Sequence, residues 1–214
     1  MSNLRQDIIS ISNLIILKHI PNTISILRAL STFLIGYALS IDESFWQWFA
    51  QALFIVAVLS DFLDGYLARK FDAVSALGKV LDASVDKLFF FGLLFFFVFN
   101  DIFSLTSIGL FLILHIIRDI AVTAIRCNLL KKGIAVNVLS MGQIKTAFQF
   151  VFLFLGMLIS LLEFQLTQGM ISIGDWIEKL TTLAYYIYGF SIILSLVSGY
   201  SYLKFFYIHH GNKV

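Results

Sequence analysis

The chain is poor in the residues on which soluble folds depend. Only 13% of its 214 residues are charged, and it has a single proline, Pro21, and a single cysteine, Cys127. A soluble domain carries roughly a quarter of its residues as charges. One cysteine excludes an internal disulfide and any zinc site built from several thiolates. A net charge of +2 is too small to argue for nucleic acid as a partner. What fills the space instead is apolar: 59% of the residues, 23 of them Phe, with a mean hydropathy of +0.91. Such a chain has lipid as its solvent. In lipid every backbone amide must bond within its own segment or barrel. A β-barrel needs alternating strands of roughly ten residues, whereas the apolar runs here are continuous. The expected class is all-α, an integral membrane protein.

A helix needs about 20 apolar residues to cross a bilayer, and the sequence offers six such stretches, at 22–40, 46–67, 80–99, 106–127, 144–163 and 179–205. Nothing between them reads as an interdomain linker, so residues 1–214 form one expected domain, with a six-helix bundle over 20–206. Lys and Arg collect on alternate loops: Arg5 and Lys18, then Arg69, Lys70 and Lys79, then Lys131 and Lys132, then Lys204 and Lys213. The opposite loops are mainly acidic, with Asp42, Glu43, Asp101, Glu163, Asp175 and Glu178 beside the lone base Lys179. Basic loops stay cytoplasmic, so both termini are expected there. Leu4, Ile8, Ile11 and Ile15 share a helical face, which predicts a short interfacial helix over residues 1–19. No cleavable signal peptide is expected. Pro21-Asn22-Thr23 opens the first span, and helix capping alone accounts for it.

Charged side chains within spans are costly and usually functional. Here Asp61, Asp64, Asp82 and Asp86 sit where spans two and three approach their connecting loop. Asp61, Asp64, Gly65 and Ala68 fall at i, i+3, i+4 and i+7, and Gly78, Asp82 and Asp86 at i, i+4 and i+8, so each set shares a helical face. Residues 70–77 can reverse the chain, and the two faces can meet as an antiparallel pair. Four converging carboxylates repel unless cations lie between them. Oxygen-only ligands favour a hard ion such as Mg²⁺, Mn²⁺ or Ca²⁺. Gly65, Ala68 and Gly78 either let the helices approach closely or leave room for a ligand at the metal. Arg69 either holds a phosphate or anchors the loop and pairs with Asp72.

Taken together, the residues read Asp61-x-x-Asp64-Gly65-x-x-Ala68-Arg69, eight residues, Gly78, three residues, Asp82, three residues, Asp86. This pattern resembles the signature of the CDP-alcohol phosphotransferase family at all eight fixed positions and all spacings. The resemblance implies two metal ions, Mg²⁺ or Mn²⁺, held by Asp61, Asp64, Asp82 and Asp86. It implies a CDP-linked lipid whose β-phosphorus is attacked by an acceptor hydroxyl, with CMP leaving and Asp86 as the base. Asn22, Asp61, Gly65, Ala68, Arg69 and Gly78 would contact the nucleotide. A homodimer in a bacterial cytoplasmic (inner) membrane, with the active site on the cytoplasmic side, is also implied.

The acceptor must be read elsewhere. Arg118 and Arg126 lie eight residues apart in span four, nearly on one face, and Lys145 opens span five. Three cations exceed what snorkelling to the interface requires and favour an anionic acceptor. The competing reading pairs them with Asp119 or with the four aspartates. Ile20-Pro21-Asn22 with Arg28 downstream, Ile117-Arg118-Asp119-Ile120 with Arg126, and Gly142-Gln143-Ile144-Lys145-Thr146 resemble bacterial phosphatidylglycerophosphate synthases, a branch of that family. The branch joins CDP-diacylglycerol to sn-glycerol 3-phosphate, and by that likeness Arg118, Arg126 and Lys145 grip the acceptor phosphate. The likeness runs from about Ile20 to Gln149, and the last two spans add only apolarity. The chain departs from the branch at Ser25, Ala83 and Asp119, where Thr, Pro and Glu are usual. Inositol phosphate, serine or phosphatidylglycerol are the alternative acceptors, and a carboxylate-lined cation transporter is the rival of another class.

Three smaller features complete the reading. His19, His115, His209 and His210 are expected at surfaces or interfaces. The Phe run over 89–97 is expected to face lipid or a second copy. Trp46, Trp48 and Trp176 sit where an outer aromatic belt would lie.

Overall fold

Each apolar stretch of the sequence coincides with a helix. The computed structural model describes residues 23–70, 76–131, 140–170 and 173–211. The side chains of 62–70, 76–83, 130–131, 140–143 and 209–211 lie outside that description. The expected interfacial helix over 1–19 also lies outside the described residues. The helices are α1 (Thr23–Leu39), α2 (Ser44–Lys70), α3 (Ala76–Phe99), α4 (Leu105–Lys131), α5 (Ser140–Thr167) and α6 (Gly174–Gly211). No strand occurs among the described residues, and the expected all-α class holds. Among those residues three helices are long and apolar enough to cross a membrane, over Leu105–Leu129, Ile144–Thr167 and Gly174–Ile208. Several helices outrun the apolar stretches that announced them. α6 has 38 residues, about 57 Å at 1.5 Å per residue, against roughly 30 Å of hydrocarbon. Backbone bonding continues past the last lipid-facing residue, so apolarity marks a span and underestimates its helix.

The contacts divide the chain into residues 1–100 and 101–214. In the first unit, α1 turns its hydroxyls back on its own backbone: Ser31 Oγ donates to the Arg28 carbonyl at 2.7 Å and Thr32 Oγ1 to the same oxygen at 3.2 Å. This hides polar atoms within an apolar helix. The turn into α2 is tied by Gln47, whose Nε2 donates to the carbonyls of Leu39 and Ile41 at 3.2 and 3.1 Å, serving acceptors that a helix end leaves open. α1 lies close on α3. A Cβ at Gly36 would overlap the Phe96 ring, and one at Gly92 would come within 2.6 Å of Thr32 Cγ2. That approach corrects the expectation for the Phe run. Phe89, Phe90 and Phe97 are buried, and Phe89 stacks on Phe54 of α2 at 6.0 Å between centroids. Phe95, by contrast, is exposed. A run of Phe supplies both faces of a helix, so only part of it can point outward.

The second unit is built the opposite way round from a soluble bundle. On α4 the outward stripe is apolar, with Leu110, Ile113, Ile117 and Ile120 exposed, while His115 and Asp119 are buried. An apolar exterior around polar interior residues is the pattern of a helix bathed in lipid. α6 packs on both α5 and α4, and Ala184, Tyr188, Ser191, Ser195, Ser198 and Tyr202 form its buried face. Their alternating spacing of four and three keeps one seam inward, and small residues on it permit close helix approach. Phe103, Phe152 and Tyr188 stack at 5.0 and 4.7 Å to complete the core. α5 ends in a turn at Gly169 (φ +69°), with the Met170 amide donating to the Gln165 carbonyl and the Gly169 amide to that of Leu166. Glycine adopts this left-handed geometry without steric cost.

Candidate active site

The first unit gathers carboxylates around a cation. Ser25, Arg28, Thr32 and Ile35 form the buried face of α1, and Arg28 is only 2% exposed. No acidic residue lies within α1, so a partner for Arg28 has to come from another helix. Two partners do: Arg28 Nη1 pairs with Asp61 of α2, and Nη2 lies 2.9 Å from Asp86 Oδ1 of α3. The structure therefore brings Asp61 and Asp86 to one guanidinium. Of these three side chains, two are negative and one positive. The side chain of Asp86 is 40% exposed and that of Asp61 25%, which makes Asp86 the more accessible carboxylate.

The remaining members of the pattern sit on the same two helices, Asp64, Gly65, Ala68 and Arg69 in α2 and Gly78 and Asp82 in α3. Their side chains, and all of Asn22, lie outside the described residues. Among the described residues no group of three or more acidic, His or Cys side chains gathers. Arg28 is the residue at this cluster to which sequence reasoning assigned no role. Its signal was available: a lone cation in an apolar segment, with no acid of its own.

The second unit inverts this arrangement. Asp119 of α4 is buried and accepts from Arg118 Nη1 at 2.8 Å and from Lys145 Nζ of α5 at 3.1 Å. Two cations share one carboxylate. Arg118 and Lys145 therefore pair with Asp119, the competing reading of these cations. Arg118 also reaches α6, where Nε donates to the Ser195 carbonyl at 2.8 Å and Nη2 to Ser198 Oγ at 2.9 Å. Arg126 is held apart from this group. Its Nη2 donates to Tyr202 Oη at 3.0 Å, and its guanidinium carbon lies 5.1 Å from the Tyr202 ring centroid, a favourable cation–π distance.

Next to the charged group lies His115, which corrects the expectation of a surface histidine. It is fully buried, its Nε2 is 2.9 Å from Gln149 Nε2, and its ring is parallel to that of Tyr188 at 6.3 Å. His115 and Asp119 are four residues apart on α4, as are Lys145 and Gln149 on α5. Polar residues at that spacing in apolar helices are the sign of a buried polar seam. His19 lies outside the described residues, as do the side chains of His209 and His210.

Comparison with known proteins agrees with the pattern on α2 and α3. The sequence profile of the CDP-alcohol phosphatidyltransferase family matches residues 18–177. A protein of Mycoplasma genitalium named CDP-diacylglycerol–glycerol-3-phosphate 3-phosphatidyltransferase is 34% identical over 164 residues, covering 75% of this chain and 66% of its own. A protein of Rickettsia felis with the same name is 29% identical over 187 residues, covering 87% and 94%. One from Treponema pallidum, again so named, is 31% identical over 157 residues, covering 72% and 68%. With most of its length inside the family profile, including both helices of the aspartate pattern, the chain belongs to the CDP-alcohol phosphatidyltransferase family.

Proposed function

We propose that this protein transfers the phosphatidyl group of CDP-diacylglycerol to sn-glycerol 3-phosphate, releasing CMP and forming phosphatidylglycerophosphate. The observation that carries this reading is a complete aspartate pattern in a chain whose relatives share that activity's name, two of the three cited covering about three quarters of it or more. The opposite make-up of the two ion clusters, two carboxylates about Arg28 and two cations about Asp119, supports it. A diphosphate nucleotide with its metals suits the acidic group, and a phosphate-bearing acceptor suits the basic one.

Asp61 and Asp86 converge on one cationic group, so these oxygen donors fit a hard divalent ion, Mg²⁺ by preference. Asp61, Asp64, Asp82 and Asp86 would hold two such ions. Bound there, they would supply charge neutralisation for the diphosphate and ease the departure of CMP. The chain's own residues do the rest. Asn22, Asp61, Gly65, Ala68, Arg69 and Gly78 receive the nucleotide, the glycines and alanine by leaving space. Arg118, Arg126 and Lys145 hold the acceptor phosphate, and charge-assisted bonds make that grip directional. The acceptor hydroxyl oxygen bonds to the β-phosphorus as the phosphorus–oxygen bond to CMP breaks. Asp86, the more open carboxylate, takes the hydroxyl proton.

All six helices span the membrane in this reading. Both termini and the site lie on the cytoplasmic side of a bacterial inner membrane, the chain is one functional domain, and it works as a homodimer. The test is CMP release from CDP-diacylglycerol with each acceptor offered singly, with Mg²⁺ and again with chelator. Metal-dependent release with glycerol 3-phosphate is expected. Release only with serine, inositol phosphate or phosphatidylglycerol would replace the acceptor, and metal flux in liposomes without CMP would replace the enzyme by a transporter.

A further inference from the structure

The family profile ends at residue 177, near the start of α6, and the sequence there offers little beyond apolarity. The structure gives α6 more to do. Ser195, Ser198 and Tyr202 are all but fully buried, and each meets an arginine of α4. Ser195 lends its carbonyl to Arg118 Nε, Ser198 its hydroxyl to Arg118 Nη2, and Tyr202 its hydroxyl and ring to Arg126. Between them Gly199 leaves room for the Arg118 stem. A Cβ at Gly199 would lie 3.3 Å from Arg118 Cγ and 3.4 Å from Nε, tighter than ordinary van der Waals contact. Four successive positions on one face of α6 are thus shaped around two arginines eight residues apart on α4.

We propose that Ser198, Gly199 and Tyr202 are positioning residues that set the guanidinium planes of Arg118 and Arg126 for the acceptor's phosphate. This inference rests on the reading that those arginines receive that phosphate. Its physical basis is preorganisation. An arginine side chain is long and rotamer-rich, and ordering it at the moment of binding costs affinity. A guanidinium has more N–H donors than α6 and Asp119 take up, so a held arginine still has donors for a ligand. Bidentate recognition of phosphate depends on the plane of that group, and α6 fixes the plane of Arg118 through two of its nitrogens. Asp119 fixes the third. Arg126 is set by one residue, through the Tyr202 ring near its guanidinium carbon and the Tyr202 hydroxyl at Nη2.

The test uses the full-length protein in detergent micelles with Mg²⁺, varying glycerol 3-phosphate and CDP-diacylglycerol separately. Tyr202→Phe keeps the ring and removes one hydrogen bond, Ser198→Ala removes the other, and Ser198→Thr retains a hydroxyl. Tyr202→Phe and Ser198→Ala should each raise the KM for glycerol 3-phosphate by about fivefold, the order expected for the net worth of one hydrogen bond. The KM for CDP-diacylglycerol should stay within about twofold. Ser198→Thr should restore most of the acceptor affinity. A merely structural role would lower the melting temperature and the active fraction and leave the acceptor KM alone. That result in either folded variant, with the wild type using glycerol 3-phosphate, overturns the positioning role and spares the proposed activity. A wild type that releases CMP only with a phosphate-free alcohol overturns both.

Discussion

The two units are electrostatic mirror images. In the first, one buried cation from α1 meets two carboxylates from α2 and α3. In the second, one buried carboxylate on α4 meets a cation beside it and another from α5. Each trio counts two like charges against one, carboxylates in the first and cations in the second. Excess charge in a low-dielectric setting is expensive unless a ligand answers it. Under the proposed activity the carboxylate-rich trio would answer a divalent cation and the cation-rich trio a phosphate.

Removing a carboxylate should have the largest effect. Asp86→Asn is expected to lower kcat by about a thousandfold, within the range of a lost general base, while CDP-diacylglycerol binding persists by equilibrium filtration. Asp61→Asn should lose metal binding and activity together. Near-wild-type turnover in either variant would undo the roles given to these residues.

The central ions of the two trios give an intermediate effect and the sharpest contrast. Arg28→Ala leaves Asp61 and Asp86 without their shared cation, and Asp119→Ala leaves Arg118 and Lys145 without theirs. Arg28→Ala should cost on the order of 2 kcal/mol, because the carboxylates of the first trio are partly open, and Asp119→Ala about 3–5 kcal/mol, the range for a buried pair that loses one partner. The rescue should differ. Raised Mg²⁺ should recover the melting temperature of Arg28→Ala and glycerol 3-phosphate that of Asp119→Ala, as binding to the folded state stabilises it. If both variants respond to the same ion, the mirror contrast is wrong.

Arg126→Ala should be the mildest. Arg126 stands outside the Asp119 trio, so its loss should weaken acceptor use by about tenfold, through KM or kcat, with little change for the nucleotide. An unchanged acceptor dependence would remove Arg126 from the phosphate site.

Local pattern and long-range pairing account for what could and could not be read in advance. Six helices were legible because apolar length is a local property, and their ends were not, because a helix continues beyond its lipid-facing part. Asp61 and Asp86 were legible through spacing, which places residues on helix faces that can meet. Arg28 was not assigned a role, because its partners lie on α2 and α3, outside its own segment. Phe89 and Phe97 showed apolarity without direction, and the close approach of α1 at Gly36 and Gly92 decided that they turn inward. The contribution of α6 was the least visible. Serines and a tyrosine in an apolar stretch carry no motif, and only their alignment against Arg118 and Arg126 gives them meaning.

The proposed reaction moves a phosphatidyl group from CDP to glycerol 3-phosphate, and its lipid product is the direct readout. Purified protein with Mg²⁺, CDP-diacylglycerol and glycerol 3-phosphate can be followed by phosphorus NMR of the extracted lipid. The account predicts a phosphodiester and a phosphomonoester signal in equal amounts, growing in step with free CMP and absent with chelator. CMP release with no phosphomonoester in the lipid, or unchanged CDP-diacylglycerol under these conditions, would contradict it.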